Sequence, residues 1–240
     1  MKRPNNIMRS FIGGVPFDAV TKKQAIEKIV LFLAEEKFHV VTTPNPEMVV
    51  MANRDKSFAK VLASSDLSLV DGTGIIFASY FLGQKLSERV VGVDMVEATS
   101  GLAEAHGRSV FFLGGEKKDV AESAAKNLSV RYPLLHVVGA MSGGTIIKKD
   151  DGSWQMDSEI ISTIRHAKPD ILFVALGHGK QEKWIYDHRT LLPSVRVAMG
   201  VGGAFDFLSG STPRAPVWLR RFGFEWLWRF AHEPRRLKRM

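Results

Sequence analysis

Apolar and polar positions along this chain change period every ten to twenty residues, and the changes outline alternating helices and strands. After an extended stretch, Phe11 to Asp18, broken by Gly13-Gly14, the apolar residues Ala25, Ile26, Ile29, Val30 and Leu33 recur at helical spacing, and Thr21 stands where a helix cap belongs. Continuous apolar runs then mark strands at His39–Thr42, Leu67–Val70, Ser109–Leu113, Leu135–Val138, Ile171–Leu176 and Val195–Met199. The run Ile171-Leu172-Phe173-Val174-Ala175-Leu176 has no polar alternation, so its strand is covered on both faces, as in a parallel sheet. Between the strands lie helical patterns at 56–63, from Asp94 (with Glu97 as a capping box) to Ala105, through Val120, Ala124 and Leu128, and from Asp157 to His166. Strands alternating with helices in this rhythm predict an α/β fold with a doubly wound, mostly parallel, Rossmann-like sheet.

Most strands end in a turn that carries chemistry. Leu69-Val70 leads into Asp71-Gly72-Thr73-Gly74, and in an open α/β sheet the residue after a strand faces the crevice where ligands collect. Asp71 is therefore a candidate base, with helix capping as its structural alternative, and Gly72 lets the backbone approach a ligand. Thr43-Pro44-Asn45-Pro46-Glu47 ends another strand; Asn45 is placed either to cap a helix beginning at Pro46 or to face the same crevice with Thr43. Gly114-Gly115 and Gly200-Val201-Gly202-Gly203 follow two more strands, the first resembling a nucleotide-binding turn, the second leading to Asp206. Gly177-His178-Gly179 opens a helix with Gln181 in its first turn, and His178 reads as a loop residue with too few partners for a metal. Segment 83–92 is too irregular for helix or strand and reads as a loop from which Arg89 can reach a phosphate.

Composition adds two constraints. The 240 residues contain no cysteine, which removes disulfides and thiolate chemistry, and no apolar run is long enough for a membrane span or, at the N-terminus, for a signal peptide; a cytoplasmic protein is expected. The net charge of +8 is concentrated at the end: from Arg214 onward eight basic residues face Glu225 and Glu233, so the tail supplies +6. Three of the five tryptophans fall between Trp218 and Trp228, interleaved with arginines, as in an interfacial membrane element. Two parts follow: an α/β domain, 1–213, and a basic, aromatic helical appendage, 214–240.

These residues together resemble the bacterial WecG/TagA/CpsF glycosyltransferases, which add N-acetylmannosamine, its uronic acid or a related sugar to a polyprenyl-diphosphate-linked sugar in cell-surface polysaccharide biosynthesis. The likeness spans nearly the whole chain and rests on 43–47, 70–74, 89–94, 181–184, 200–207 and the run from Arg214-Ala215-Pro216 through Glu225-Trp226-Leu227-Trp228-Arg229 to Glu233-Pro234-Arg235-Arg236. It implies a UDP-sugar donor, inverting transfer with neither metal nor cofactor, and Asp71 as the base. Thr43, Arg89 and Gln181 match its other active-site positions, and Asn45, Gly72, Gly114, Gly202 and Asp206 are the expected substrate-binding positions. Arg229, Arg236 and Arg239 match arginines of an appendage that approaches the lipid diphosphate, which places the enzyme peripherally on the inner face of the membrane. Where many members carry a proline before the Gln-Glu pair, this chain has His178-Gly179-Lys180, a departure that bears on donor-sugar preference.

The residues support this chemistry on their own terms. Inverting transfer needs one base for the attacking hydroxyl and positive charge for the departing diphosphate, which Asp71 and Arg89 offer. No Asp-x-Asp pair, the usual metal holder of UDP-sugar enzymes, occurs in the sequence. Two other classes fit less well. A nucleic-acid-binding protein could use the basic aromatic tail, but the charge is confined to the terminus while the crevice carries Asp71 and Asp206; no nucleic-acid partner is expected. A nicotinamide oxidoreductase would need the G-x-G-x-x-G fingerprint, which is missing. A homo-oligomer is a possible assembly.

Overall fold

The computed structural model describes residues 7–115, 117, 119–144, 147–148, 154–155, 158–221, 223, 225 and 227–228. The chain opens with a hairpin, β1 (Arg9–Ile12) and β2 (Val15–Asp18), whose turn is made by Gly13 and Gly14, both at positive φ. Helix α1 (Lys22–Ala34) follows, capped as its sequence predicts: the Thr21 side chain accepts from the Gln24 backbone N–H, and Gln24 returns the bond. Then come β3 (His39–Thr42), α2 (Pro46–Arg54), α3 (Lys56–Ala63), β4 (Leu67–Ser68), α4 (Thr73–Phe81), α5 (Gly92–Ala105), β5 (Ser109–Gly114), α6 (Val120–Arg131) and β6 (His136–Met141). A short pair, β7 (Ile147–Lys148) and β8 (Trp154–Gln155), precedes α7 (Ser158–Ala167), β9 (Ile171–Ala175), α8 (Lys180–His188), β10 (Val197–Gly200), α9 (Ala204–Leu208) and α10 (Val217–Arg221).

Six strands form one sheet in the order β4-β3-β10-β9-β5-β6, with every pairing parallel. The expectation of a mostly parallel sheet is met by a wholly parallel one. From β3 the chain steps outward to β4, crosses to β5 and β6 on the other side, and fills the centre last with β9 and β10. Alternation along each strand separates two cores. Val41, Val110, Phe112, Ile171, Phe173, Val197 and Met199 face α1, α5, α6 and α9. Val40, Phe111, Leu113, Leu172, Val174 and Ala198 face Ile160 and Ile164 of α7 and Trp184 and Ile185 of α8. Strands with both faces covered have no reason to alternate polar and apolar residues, which explains their unbroken apolar runs.

The edge strand β4 is protected by the hairpin. Asp18, buried at the end of β2, accepts from the Ser68 backbone N–H at 2.7 Å and pairs with Arg9 through two bonds of 2.8 Å, while the Ser68 hydroxyl donates to the Pro16 carbonyl at 2.6 Å. An exposed edge would invite pairing with other chains; here its polar groups are satisfied within the fold. The hairpin also closes a third core, in which Ile12, Val15 and Phe17 pack on Met48, Ala52, Phe58, Leu62, Val70 and Ile75.

Some boundaries differ from the sequence reading. α5 begins at Gly92 with Val91 as its cap, so Asp94 stands inside the first turn and pairs with Arg214 instead of capping. α6 begins at Val120, five residues beyond Gly115, so the two glycines do not open directly into a helix.

Candidate active site

Because the strands are parallel, the loops after β4, β3, β10 and β9 emerge side by side at one edge. Asp71 follows β4, and its backbone N–H donates to the Pro44 carbonyl at 3.1 Å, joining the first loop to the second. The position that caps α4 is Gly72, which has no side chain, so Asp71 stands one residue outside the helix. Gly72 adopts φ +106, and a Cβ there would lie 3.1 Å from Pro46; one at Gly74 would lie 3.0 Å from it. The glycines after Asp71 and the prolines after Thr43 thus fit one another, and the close approach explains why the two motifs occur together.

Asn45 fills both of its expected roles. Its side-chain oxygen accepts from the Met48 N–H at 3.0 Å and caps α2, while its amide nitrogen lies 3.4 Å from His178 Nε2 across the crevice. His178 Nδ1 faces Glu47 Oε2 at 3.5 Å, so the imidazole bridges the loop after β9 to the loop after β3, over the end of β10. A Cβ at Gly202 would come within 3.3 Å of the ring. Burial pushes the His178 pKa down, but the bond to Glu47 and the charges of Glu182, Glu47 and Asp71 outweigh it and leave it raised. His178 lies in a loop, as the sequence indicates, and its flanking glycines are both at positive φ.

Gln181 and Glu182 are buried in the first turn of α8. The Gln181 side chain donates to Glu182 at 2.6 Å and accepts from the Gly202 N–H at 3.0 Å, and the second Glu182 oxygen accepts from the Gly179 N–H at 2.8 Å. This network ties the loop after β10 to the start of α8. Burial raises the Glu182 pKa in spite of its partners. The Thr43 hydroxyl donates to the Gly200 carbonyl at 3.2 Å. Thr43 and Gln181 therefore both grip the β10 loop and set the shape of the crevice floor. Glu182 enters the sequence reading only as part of the 181–184 motif and not as a site residue, although a buried glutamate is uncommon in a core.

Arg89 lies on the segment that returns to the end of β4. Val90 N–H donates to the Val70 carbonyl at 2.8 Å, so the irregular segment returns beside Asp71. Arg89 Nη2 donates to the Arg220 carbonyl at 3.3 Å and to Glu225 at 3.4 Å, and Arg214 holds the other Glu225 oxygen at 3.5 Å. Thr73 Oγ1 donates to the Gly223 carbonyl at 3.2 Å, which docks the described part of the tail on the first residue of α4. Two further expected positions lie at the end of β5 and in α9. Gly114, at φ +112, permits close strand packing, because a Cβ would lie 2.3 Å from the Ala175 carbonyl oxygen, and the Gly115 N–H is taken by that same carbonyl at 2.9 Å. Asp206 is buried in the first turn of α9. Arg229, Arg236 and Arg239 lie outside the described residues.

A relative from Bacillus subtilis (strain 168), N-acetylglucosaminyldiphosphoundecaprenol N-acetyl-beta-D-mannosaminyltransferase, is 36% identical over 201 residues, covering 84% of this chain and 74% of the relative. A protein of the same name from Staphylococcus aureus (strain MW2) is 32% identical over 238 residues, covering 98% of this chain and 89% of the relative. The model of the glycosyl transferase WecG/TagA/CpsF family matches residues 10–240, and the chain belongs to that family.

Proposed function

We propose that this glycosyltransferase moves N-acetylmannosamine or a closely related sugar from a UDP-sugar to a polyprenyl-diphosphate-linked N-acetylglucosamine, with inversion and without a metal. The observation that supports the reading most directly is Asp71, placed after β4 and outside the helix it precedes, with the Thr43–Asn45 loop bonded to its backbone. The carboxylate takes the proton of the acceptor hydroxyl as that oxygen attacks the anomeric carbon of the donor. The bond from that carbon to the diphosphate oxygen breaks, and UDP leaves with the electron pair. Arg89, with Arg229, Arg236 and Arg239 of the tail, supplies the positive charge that stabilises diphosphate on the donor or the acceptor. Asn45, Gly72, Gly202 and the His178 ring shape the donor side of the crevice, and Thr43 and Gln181 hold its floor.

In this reading residues 214–240 form an appendage that works at the inner surface of the membrane, where a lipid-linked acceptor resides. No helix among the described residues is long and apolar enough to cross a membrane, so attachment is peripheral in this proposal. The test is a screen of UDP-sugars against a short-chain lipid-diphosphate-N-acetylglucosamine analogue, read by mass spectrometry. Asp71→Asn should keep the fold and UDP binding while lowering turnover about a hundred- to ten-thousand-fold, the usual worth of a general base. Near-normal turnover in a folded variant would remove Asp71 from the chemistry.

A further inference from the structure

The loop Gly177-His178-Gly179 carries an imidazole whose two nitrogens meet different partners, and the geometry fixes which of them holds the proton. Gly177 and Gly179 are at φ +86 and +78, which a proline cannot adopt, and the Gly179 N–H is donated to the buried Glu182. The loop is therefore latched to the first turn of α8, with His178 held part-exposed. Across the crevice, Asn45 has its orientation set by α2. The Met48 N–H donates to its side-chain oxygen at 3.0 Å, so the amide nitrogen is the atom that faces His178 Nε2 at 3.4 Å. An amide nitrogen can only donate. His178 Nε2 must then offer its lone pair, which leaves the ring proton on Nδ1, facing Glu47 Oε2 at 3.5 Å.

We propose that His178 is a positioning residue for the donor sugar: in its neutral, Nδ1-protonated form it engages one N–H of Asn45, and Asn45 presents the other to an oxygen of that sugar. The inference rests on the proposed UDP-sugar transfer and goes beyond it by naming the side chain that orients the sugar contact. Asn45 is suited to the task because its oxygen is committed to the helix cap, while its second N–H is uncommitted among the described residues. Protonating the ring reverses the arrangement. Nε2–H and the Asn45 amide are then two donors facing each other, and Asn45 can turn its oxygen to the ring only by giving up the cap. The charged groups that face the ring favour that protonated form: Glu47 from α2, Glu182 from α8 and Asp71 after β4. The loop after β10 brings Gly202 to the ring, which adds no charge. The protonated form therefore persists above the ordinary value of 6.5, and use of the donor should improve as pH rises through the transition.

The experiment uses the full chain, UDP-N-acetylmannosamine and a short-chain lipid-diphosphate-N-acetylglucosamine acceptor. His178→Ala should lower kcat/KM for the UDP-sugar about three- to tenfold, the worth of one neutral hydrogen bond, while the Kd for UDP alone stays within about twofold. His178→Gln, whose side-chain oxygen can accept from Asn45 without titrating, should recover most of the loss and abolish the rise of kcat/KM with pH. Asn45→Ser keeps a capping side chain and removes the amide; in that background His178→Ala should change kcat/KM by less than about twofold. Losses that multiply in the double variant overturn the proposal, because the histidine then acts without Asn45. So does an equal loss of UDP affinity in His178→Ala, which would place the effect on the nucleotide. A nitrogen-15 spectrum of the wild-type imidazole decides the tautomer even if a variant folds poorly, and a proton on Nε2 above the transition also overturns the proposal. If the proton is on Nδ1 but the wild type transfers no sugar, the bond between Asn45 and His178 stands and the proposed reaction is what fails.

Discussion

Gly200 ends the central strand β10 directly beneath the Gln181-Glu182 pair, and a methyl group added there tests whether that pair is held as tightly as the structure indicates. A Cβ at residue 200 would lie 2.9 Å from Gln181 Nε2 and 3.0 Å from Glu182 Oε1. Both side chains are fully buried, and each is fixed by bonds it would have to surrender in moving: Gln181 to the Gly202 N–H, Glu182 to the Gly179 N–H. Overpacking a rigid core costs about 1–3 kcal/mol, and a buried polar group left without its partner costs about 1–3 kcal/mol. Since one displacement causes both, Gly200→Ala should destabilise by about 2–3 kcal/mol, not by the full sum. Removing the obstacle should remove most of that cost. In a Gln181→Ala background the nearest atoms are gone and Glu182 is no longer tethered from that side, so the same methyl group should cost less than about 1 kcal/mol. A double-mutant cycle by urea denaturation, with unchanged m-values as the check on two-state unfolding, measures this coupling as about 1–2 kcal/mol. Additive costs, within about 0.5 kcal/mol, would mean that the network yields freely and that the crevice floor is not rigid.

Other outcomes follow from the same geometry. His178 has a raised pKa in the folded protein, so the stability it contributes is fully present below the ordinary value of 6.5 and lost as pH rises through the raised one. The excess melting temperature of the wild type over His178→Gln should therefore shrink as pH increases past 6.5; a constant difference would show that the ring is held by packing alone. Asp18→Ala strips the Ser68 N–H and Arg9 of their partner and should cost about 2–4 kcal/mol, read as a lower urea midpoint, against near-neutral effects for most surface substitutions. Chelation with EDTA should leave transfer activity intact; activity lost on chelation and restored by Mg²⁺ or Mn²⁺ would contradict a metal-free mechanism.

What the sequence made legible was the part governed by short-range rules. Unbroken apolar runs identified buried parallel strands because a strand covered on both faces needs no alternation, and glycine or proline after the runs that end in β3, β4 and β9 located the turns at the binding edge. Helix α3 and the Thr21 cap were readable because propensity and capping act within a few residues. His178 lies in a loop as its sequence indicates, but its partners are not local: Glu47 is 131 positions away in the chain, and only the order β3-β10-β9 brings the two loops together. Asp94 was misread. A local capping pattern was present, but Arg214, 120 residues on, takes its carboxylate. At the Gly114-Gly115 turn a long-range constraint adds to the local signal, since the approach of β9 leaves no room for a Cβ at the first glycine.

The site gathers opposite charges on its two sides, and that division suits a transfer reaction better than either a basic or an acidic cleft would. Around the loops after β3 and β9 stand Asp71, Glu47 and Glu182 with the single imidazole of His178 among them; around the return of segment 71–90 stand Arg89 and Arg214, sharing the buried carboxylate of Glu225. In the proposed reaction a departing diphosphate is stabilised by guanidinium groups. Thr73, bonded to Gly223, is the hinge between the two sides, because it follows Asp71 by two residues and anchors the tail segment that carries Glu225. Glu225 therefore stands as an internal anion against Arg89, and in the proposed reaction an incoming diphosphate would compete with it for that guanidinium.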